Sequence, residues 1–145
     1  MLDFIRIACA VPAVKVGDVK KNTEDICTYI EKADAQNADI VLFPELAMTG
    51  YTCGDLFFQN TLHNAVKCGL RQIADYSSKH PNITAVVGLP VRVGTKLYNC
   101  AAVISRGQIE GFVPKTHLSA AEKRWFSAGD ELDRVWMSCE RFGMI

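Results

Sequence analysis

The sequence predicts an α/β fold in which strands and helices alternate first and strands alone follow. Three observations carry this. Apolar residues recur at helical spacing over two long stretches, 19–35 and 61–79. Short β-prone apolar runs stand before, between and after them. Two further strand patterns, joined by tight turns, close the series.

Taken in order, "FIRIACAV" (4–11) is short, apolar and β-prone, and reads as a first strand. Asp18 suits a helix N-cap, and Val19, Thr23, Ile26, Ile30 and Ala33 follow it on one helical face. "ADIVLF" (38–43) is the unbroken apolar run of a strand buried on both sides. Leu62, Val66, Leu70, Ile73 and Tyr76 line a second helix, which His80-Pro81 stops. "ITAVVGLPV" (83–91) is a third strand, "GTK" (94–96) a turn, and "LYNCAAVIS" (97–105) a fourth strand. "RG" is a tight turn into a fifth strand, "QIEGFV" (108–113). The β-α-β-α-β order implies right-handed parallel crossovers, and the last two strands imply antiparallel hairpins on the same sheet. Residues 116–134 read as loop or brief helix, and 135–145 as the start of another strand. Both long helices would lie on one face, so the other face needs a partner chain or more sequence to cover it.

The 145 residues amount to one domain, and we expect no second domain within them. Hydrophobic residues make up 49%, enough for a packed core. Lys plus Arg and Asp plus Glu each number 16, so no net charge draws the chain to nucleic acid or to an anionic membrane. No apolar run approaches the ~20 residues that span a bilayer. The N-terminus carries Asp3 and no basic region before its apolar run, which suits a strand better than a signal peptide. A cytoplasmic location with reduced thiols is the expectation. Six cysteines allow a disulfide framework by count alone, but none is in a CxxC pair and no metal spacing occurs.

The strand at 38–43 runs into Pro44 and then a carboxylate, Glu45. In an open α/β sheet ligands sit beyond the carboxyl ends of parallel strands. Pro44 fixes its own φ and keeps Phe43 extended, so Glu45 is placed rigidly at that edge. The stretch "GFVPKTHL" (111–118) repeats the device with Pro114 and Lys115. A carboxylate and an ammonium at neighbouring strand ends would keep each other ionised. The first could act as a general base and the second could steady an oxyanion. An acid at a strand end is also commonly a surface group or a structural ion pair, and these residues alone leave both readings open. Glu122, in "EKRWF" (122–126), reads equally as a partner for a base on a solvated turn. His63 and His80 read as surface histidines, while His117 stands two residues from Lys115. Cys9, Cys27, Cys68 and Cys100 fall inside element patterns and read as small core residues. Cys53 is nearest Glu45 in sequence, and Cys139 has no base placed beside it. Neither GxGxxG nor GxxxxGK[ST] occurs, which speaks against a generic nucleotide-binding domain.

"FPEL", "PKTHL" and "EKRWF" with Gly129 after it resemble the nitrilase superfamily of carbon–nitrogen hydrolases. The resemblance implies an α-β-β-α sandwich, of which this chain would hold the N-terminal half to two-thirds. It implies a Glu–Lys–Cys triad with Glu45 as the general base, Lys115 as the triad lysine, and Glu122 as a supporting glutamate. "FPELAMTGYTCGDLFF" (43–58), "VGLPVR", "LYNCAAVISRGQI" and "VPKTHL" are similar to one subgroup, the N-terminal glutaminase domain of glutamine-dependent NAD synthetases. That likeness runs over 4–118 and 122–129. It departs in two places. Only "SAA" separates "KTHL" from "EKRWF", where the family has a longer loop that walls the site. The nucleophilic cysteine would follow a strand that "RFGMI" resembles, so we expect it beyond Ile145 and do not assign it to Cys139.

The resemblance thus implies a glutamine amidase that supplies ammonia for NAD synthesis, in a homo-oligomer. No metal is implied for the amidase step; ATP and Mg would belong to a synthetase domain outside this chain. Two other readings are a nitrilase-type amidase for a different small amide, and a non-catalytic assembly module that keeps the fold.

Overall fold

The computed structural model describes residues 4–132. Cys139 and the strand expected within 135–145 lie outside the described residues.

The five strands are β1 (Ile7–Cys9), β2 (Ile40–Leu42), β3 (Thr84–Val93), β4 (Lys96–Ser105) and β5 (Gln108–Pro114). They form one sheet in the order β1-β2-β3-β4-β5. The first three are parallel and the last two are added antiparallel, as the sequence pattern implies. β1 is much shorter than 4–11. Only three of its residues find partners on β2, and β2 itself stops before Pro44, which has no N–H to continue the ladder. Phe4, Ile5 and Val11 are therefore exposed. The turn between β4 and β5 has Arg106 at φ 52° and Gly107 at φ 82°. Two consecutive positive values are what a two-residue hairpin turn needs, and glycine supplies one of them without strain.

Helix α1 (Val19–Ala35) begins at Asp18, whose side chain accepts from the backbone N–H of Lys21 at 3.1 Å. Its expected apolar face is buried in full. Helix α2 (Asn60–Ser77) buries Leu62, Val66, Leu70 and Ile73, while Tyr76 is only partly covered. The two helices cross where Gly69 meets Thr23. A Cβ on Gly69 would come within 2.5 Å of Thr23 Oγ1 and 3.0 Å of Met48 Cε. At the far end His80 Nδ1 lies 2.7 Å from Asp34 Oδ2, tying the end of α2 to that of α1.

Both helices pack on one face of the sheet. There Ala85, Val87 and Leu89 of β3 meet Cys100, Ala102 and Ile104 of β4, all buried. Full burial of a side chain such as Val87, Leu89 or Ile104 stabilises by about 1.5–3 kcal/mol. The opposite face carries Ile7, Leu42, Val86, Val103 and Val113, with Ile7, Leu42 and Val113 exposed. Among the described residues the Pro44–Leu46 turn covers this face only at its Gly88 end, and the rest stays open as the helix count foretells.

Four residues depart from the sequence reading. His63 is buried, because the first turn of α2 tucks beneath the 3₁₀ turn Gly54–Phe58 and its Nε2 donates to the Phe57 carbonyl at 2.7 Å. Burial pushes that imidazole below its ordinary pKa. Cys9 and Cys68 are exposed, one on the bare sheet face and the other on the outer side of α2. The side chain of His80 is mostly covered, at 14% exposed, through its pairing with Asp34, whereas His117 is exposed.

Candidate active site

The chain turns sharply after β2. Leu46 adopts φ 53° and is fully buried, and Gly50 N–H closes the turn on the Leu46 carbonyl at 2.8 Å. A non-glycine residue in this left-handed region costs about 1–2 kcal/mol, so packing has to hold it there. The turn lies directly over β3. A Cβ on Gly88 would stand 2.4 Å from the Pro44 carbonyl oxygen and 2.5 Å from the Leu46 nitrogen. Met48 N–H bonds the Gly88 carbonyl at 3.2 Å. Glu45 is thus set above the sheet because β3 has no side chain at that point, a signal readable as an isolated glycine inside a strand pattern.

Lys115 follows β5 at Pro114. Its backbone N–H donates to the Asn99 carbonyl at 2.8 Å, and its carbonyl accepts from Gly129 N–H at 2.8 Å. A Cβ on Gly129 would meet Pro114 at 2.9 to 3.0 Å, so this glycine lets the following segment lie against the strand end. That segment is pinned further by Phe126 on Phe57, with ring centroids 4.9 Å apart, and by Arg124 and Trp125 on Asp55. The "DLFF" and "EKRWF" stretches, far apart in sequence, are packed together.

The three acid–base residues predicted from sequence meet at one point. Lys115 Nζ lies 2.9 Å from Glu45 Oε1 and 2.8 Å from Glu122 Oε1. Glu122 is not on a solvated turn. It is 2% exposed, whereas the Glu45 side chain is 40% exposed. Burial pushes the Glu122 carboxyl up, but the Lys115 ammonium and the Ser119 donors outweigh it and bring it to about 2. The bond to Glu122 in turn raises the Lys115 pKa, against the opposing effect of burial. The short "SAA" connection makes this possible. Ser119 N–H donates to Glu122 Oε2 at 2.8 Å, and Glu122 N–H donates to Ser119 Oγ at 3.3 Å. This reciprocal S-x-x-E pair was legible in "SAAE" but was not read there. Asn99 Nδ2, also missed, donates to Oε1 of both glutamates.

Glu45, Lys115 and Asn99 line an open hollow of about 270 Å³ together with Phe43, Pro44 and Val113. It opens at the bare face of the sheet. The nearby thiols are poor nucleophiles. Burial pushes Cys100 up to about 12. Cys53 is buried, donates to the Thr49 carbonyl at 3.0 Å, and is likewise pushed up by burial. Among the described residues no group of three His, Cys, Asp or Glu is arranged to hold a metal ion.

Comparison with known proteins gives a consistent answer. The family model described as carbon-nitrogen hydrolase matches residues 6–144. The glutamine-dependent NAD(+) synthetase of Xylella fastidiosa is 40% identical over 119 residues, covering 81% of this chain and 21% of that protein. The solved glutamine-dependent NAD(+) synthetase of Cytophaga hutchinsonii superposes with a TM-score of 0.78 at 34% identity, over 86% of this chain and 22% of that one. An amidase from Nesterenkonia sp. gives 0.73 at 26% identity, over 86% and 48%. The chain therefore spans about a fifth of the length of the synthetases it matches. Its sheet, its two helices and its matched segment are those of a nitrilase-like domain, and the chain belongs to the carbon–nitrogen hydrolase family.

Proposed function

We propose that this chain forms the front part of a glutamine amidase that supplies ammonia within a glutamine-dependent NAD synthetase. The observation that carries the reading is the meeting of Glu45, Lys115 and Glu122 on one ammonium, from three separate stretches of sequence. Similarity to the synthetases at 34–40% identity favours glutamine over another small amide. A hollow of about 270 Å³ lies at the small end of ligand pockets and suits a side-chain amide.

The charges suit acyl transfer. Glu122 holds its negative charge through the working pH range, so Lys115 stays an ammonium whatever happens at Glu45. Glu45 is then the group able to exchange a proton with a reactant. In the proposed reaction a cysteine thiol loses its proton to Glu45 as its sulfur attacks the amide carbon of glutamine. Lys115 donates to the developing oxyanion. Glu45 passes the proton to the departing nitrogen, ammonia leaves, and water activated by Glu45 hydrolyses the thioester to glutamate. The described thiols raised by burial do not suit that nucleophile, and we place it outside the described residues. ATP and Mg serve a separate synthetase domain. The 145-residue chain alone is expected to release no ammonia.

The test is glutamine-dependent ammonia release by the natural protein that carries this sequence. Glu45→Gln is expected to lower kcat by about a thousandfold or more, since it removes the base from both half-reactions. Equal turnover of glutamine and a short aliphatic amide would move the assignment to a general amidase. Turnover by Glu45→Gln at the wild-type rate would remove Glu45 from the mechanism.

A further inference from the structure

We infer that Asn99 is a positioning residue that fixes the two glutamates of the site and decides which oxygen of Glu45 handles the proton. This rests on the amidase reading for its consequence, but the geometry stands by itself.

Asn99 lies on β4, is 3% exposed, and shares no sequence motif with the three charged residues. Its backbone carbonyl accepts from Lys115 N–H, so the strand end that carries Lys115 is registered on this residue. Its side-chain nitrogen has two hydrogens and two acceptors before it, Glu45 Oε1 and, at 3.4 Å, Glu122 Oε1. The amide can sit only one way round. Turned over, its oxygen would face two carboxylates and repel both. These are the same two oxygens that Lys115 Nζ contacts. One ammonium and one carboxamide therefore bridge a pair of carboxylates from two sides.

Lysine alone cannot do this. One ammonium between two carboxylates leaves a net negative charge, and the acids would swing apart toward water if only the flexible lysine stem restrained them. A neutral, short, rigid donor holds them without a second positive charge, which would bind Glu45 too tightly to its proton-free state. Both donors converge on Oε1 of Glu45, and neither reaches Oε2. Oε2 is thereby left as the oxygen that takes and returns the proton. Asn99 acts through Glu45 and touches no reacting atom in this scheme.

The experiment uses the natural protein that carries this sequence, in wild-type form and as Asn99→Ala and Asn99→Asp. The Glu45 carboxyl carbon is followed by ¹³C NMR titration, its signal assigned by loss in Glu45→Gln. Loss of a donor to the charged form is expected to move the Glu45 midpoint upward in Asn99→Ala, and further in Asn99→Asp, which adds a like charge. With glutamine, kcat is expected to fall about 10- to 100-fold with KM within about threefold, and the acidic limb of kcat/KM to move up with the midpoint. An unchanged midpoint in folded variants overturns the inference, even where melting temperature drops, since space-filling alone would lower stability and leave the titration in place. If Asn99→Ala does not fold, Asn99→Leu fills the space without a donor and is read by the same titration. A wild-type protein that releases no ammonia would sink the amidase reading and leave the titration to decide on Asn99.

Discussion

Lys115 Nζ sits 2.8 Å from the Oε1 of Glu122, a carboxylate with only 2% of its side chain exposed. A buried carboxylate kept charged is costly unless it is paired and hydrogen-bonded, and here it has the ammonium, the Ser119 N–H and the Asn99 amide. Glu122 is therefore the fixed counterion of the site, and the more exposed Glu45 is the acid that a reactant can reach.

This arrangement makes stability depend on pH in a defined direction. Glu122 is held at about 2, below its ordinary 4.5, so its contribution is fully present above pH 4.5 and is lost as pH falls toward 2. Lys115 is raised above 10.5, so its contribution is present below that and is lost only at more alkaline pH. Glu122→Gln is expected to cost about 3 kcal/mol near neutrality, because Lys115 loses a buried partner. Melting temperatures of wild type and variant, taken from pH 2 to pH 8, should draw together as pH falls from about 4.5 toward 2. A gap that stays constant over that range would show that the pairing is not what Glu122 contributes.

Gly88 carries the turn that holds Glu45, through backbone contacts that leave no room for a Cβ. Gly88→Ala must push the Pro44–Leu46 backbone away from β3, because all three contacting atoms, on Pro44, Glu45 and Leu46, are backbone. A destabilisation of about 1–3 kcal/mol is expected, of the size that overpacking produces. On the proposed amidase reading, glutamine turnover by the natural protein that carries this sequence should fall about 100-fold, as misplacing a reacting group by an ångström does. Thermal unfolding and ammonia release by the same preparation check both, and full activity in Gly88→Ala would mean that the turn can move without disturbing Glu45.

Thr23 offers the opposite kind of test. Its Oγ1 is buried at the helix crossing with no hydrogen-bond partner among the described residues. Thr23→Val keeps the shape and removes the unsatisfied hydroxyl, and is expected to stabilise by about 1 kcal/mol. The companion change Gly69→Ala should destabilise, because its Cβ would meet that same hydroxyl at 2.5 Å. Denaturant unfolding of the two variants reads both signs, and a loss of stability in Thr23→Val would show that the hydroxyl has a partner after all.

The sequence by itself determined the order of elements, the apolar faces of α1 and α2, the Asp18 cap and the parallel-then-antiparallel sheet. These rest on periodicity, capping and turn chemistry, which act between near neighbours. It also pointed to the Pro-charged strand ends at Glu45 and Lys115, since proline constrains its own neighbourhood. Other features were decided only by the tertiary structure. Strand β1 shortened because its pairing depends on how far β2 runs before Pro44. His63 became buried because a distant turn folded over α2. Glu122 changed from a solvated acid to the buried counterion of Lys115, and Asn99 entered the site, because the β4–β5 register and the packing of the segment after β5 set those distances. Local pattern fixes what each segment becomes; which side chains then share one ammonium depends on contacts that span up to 70 residues of chain.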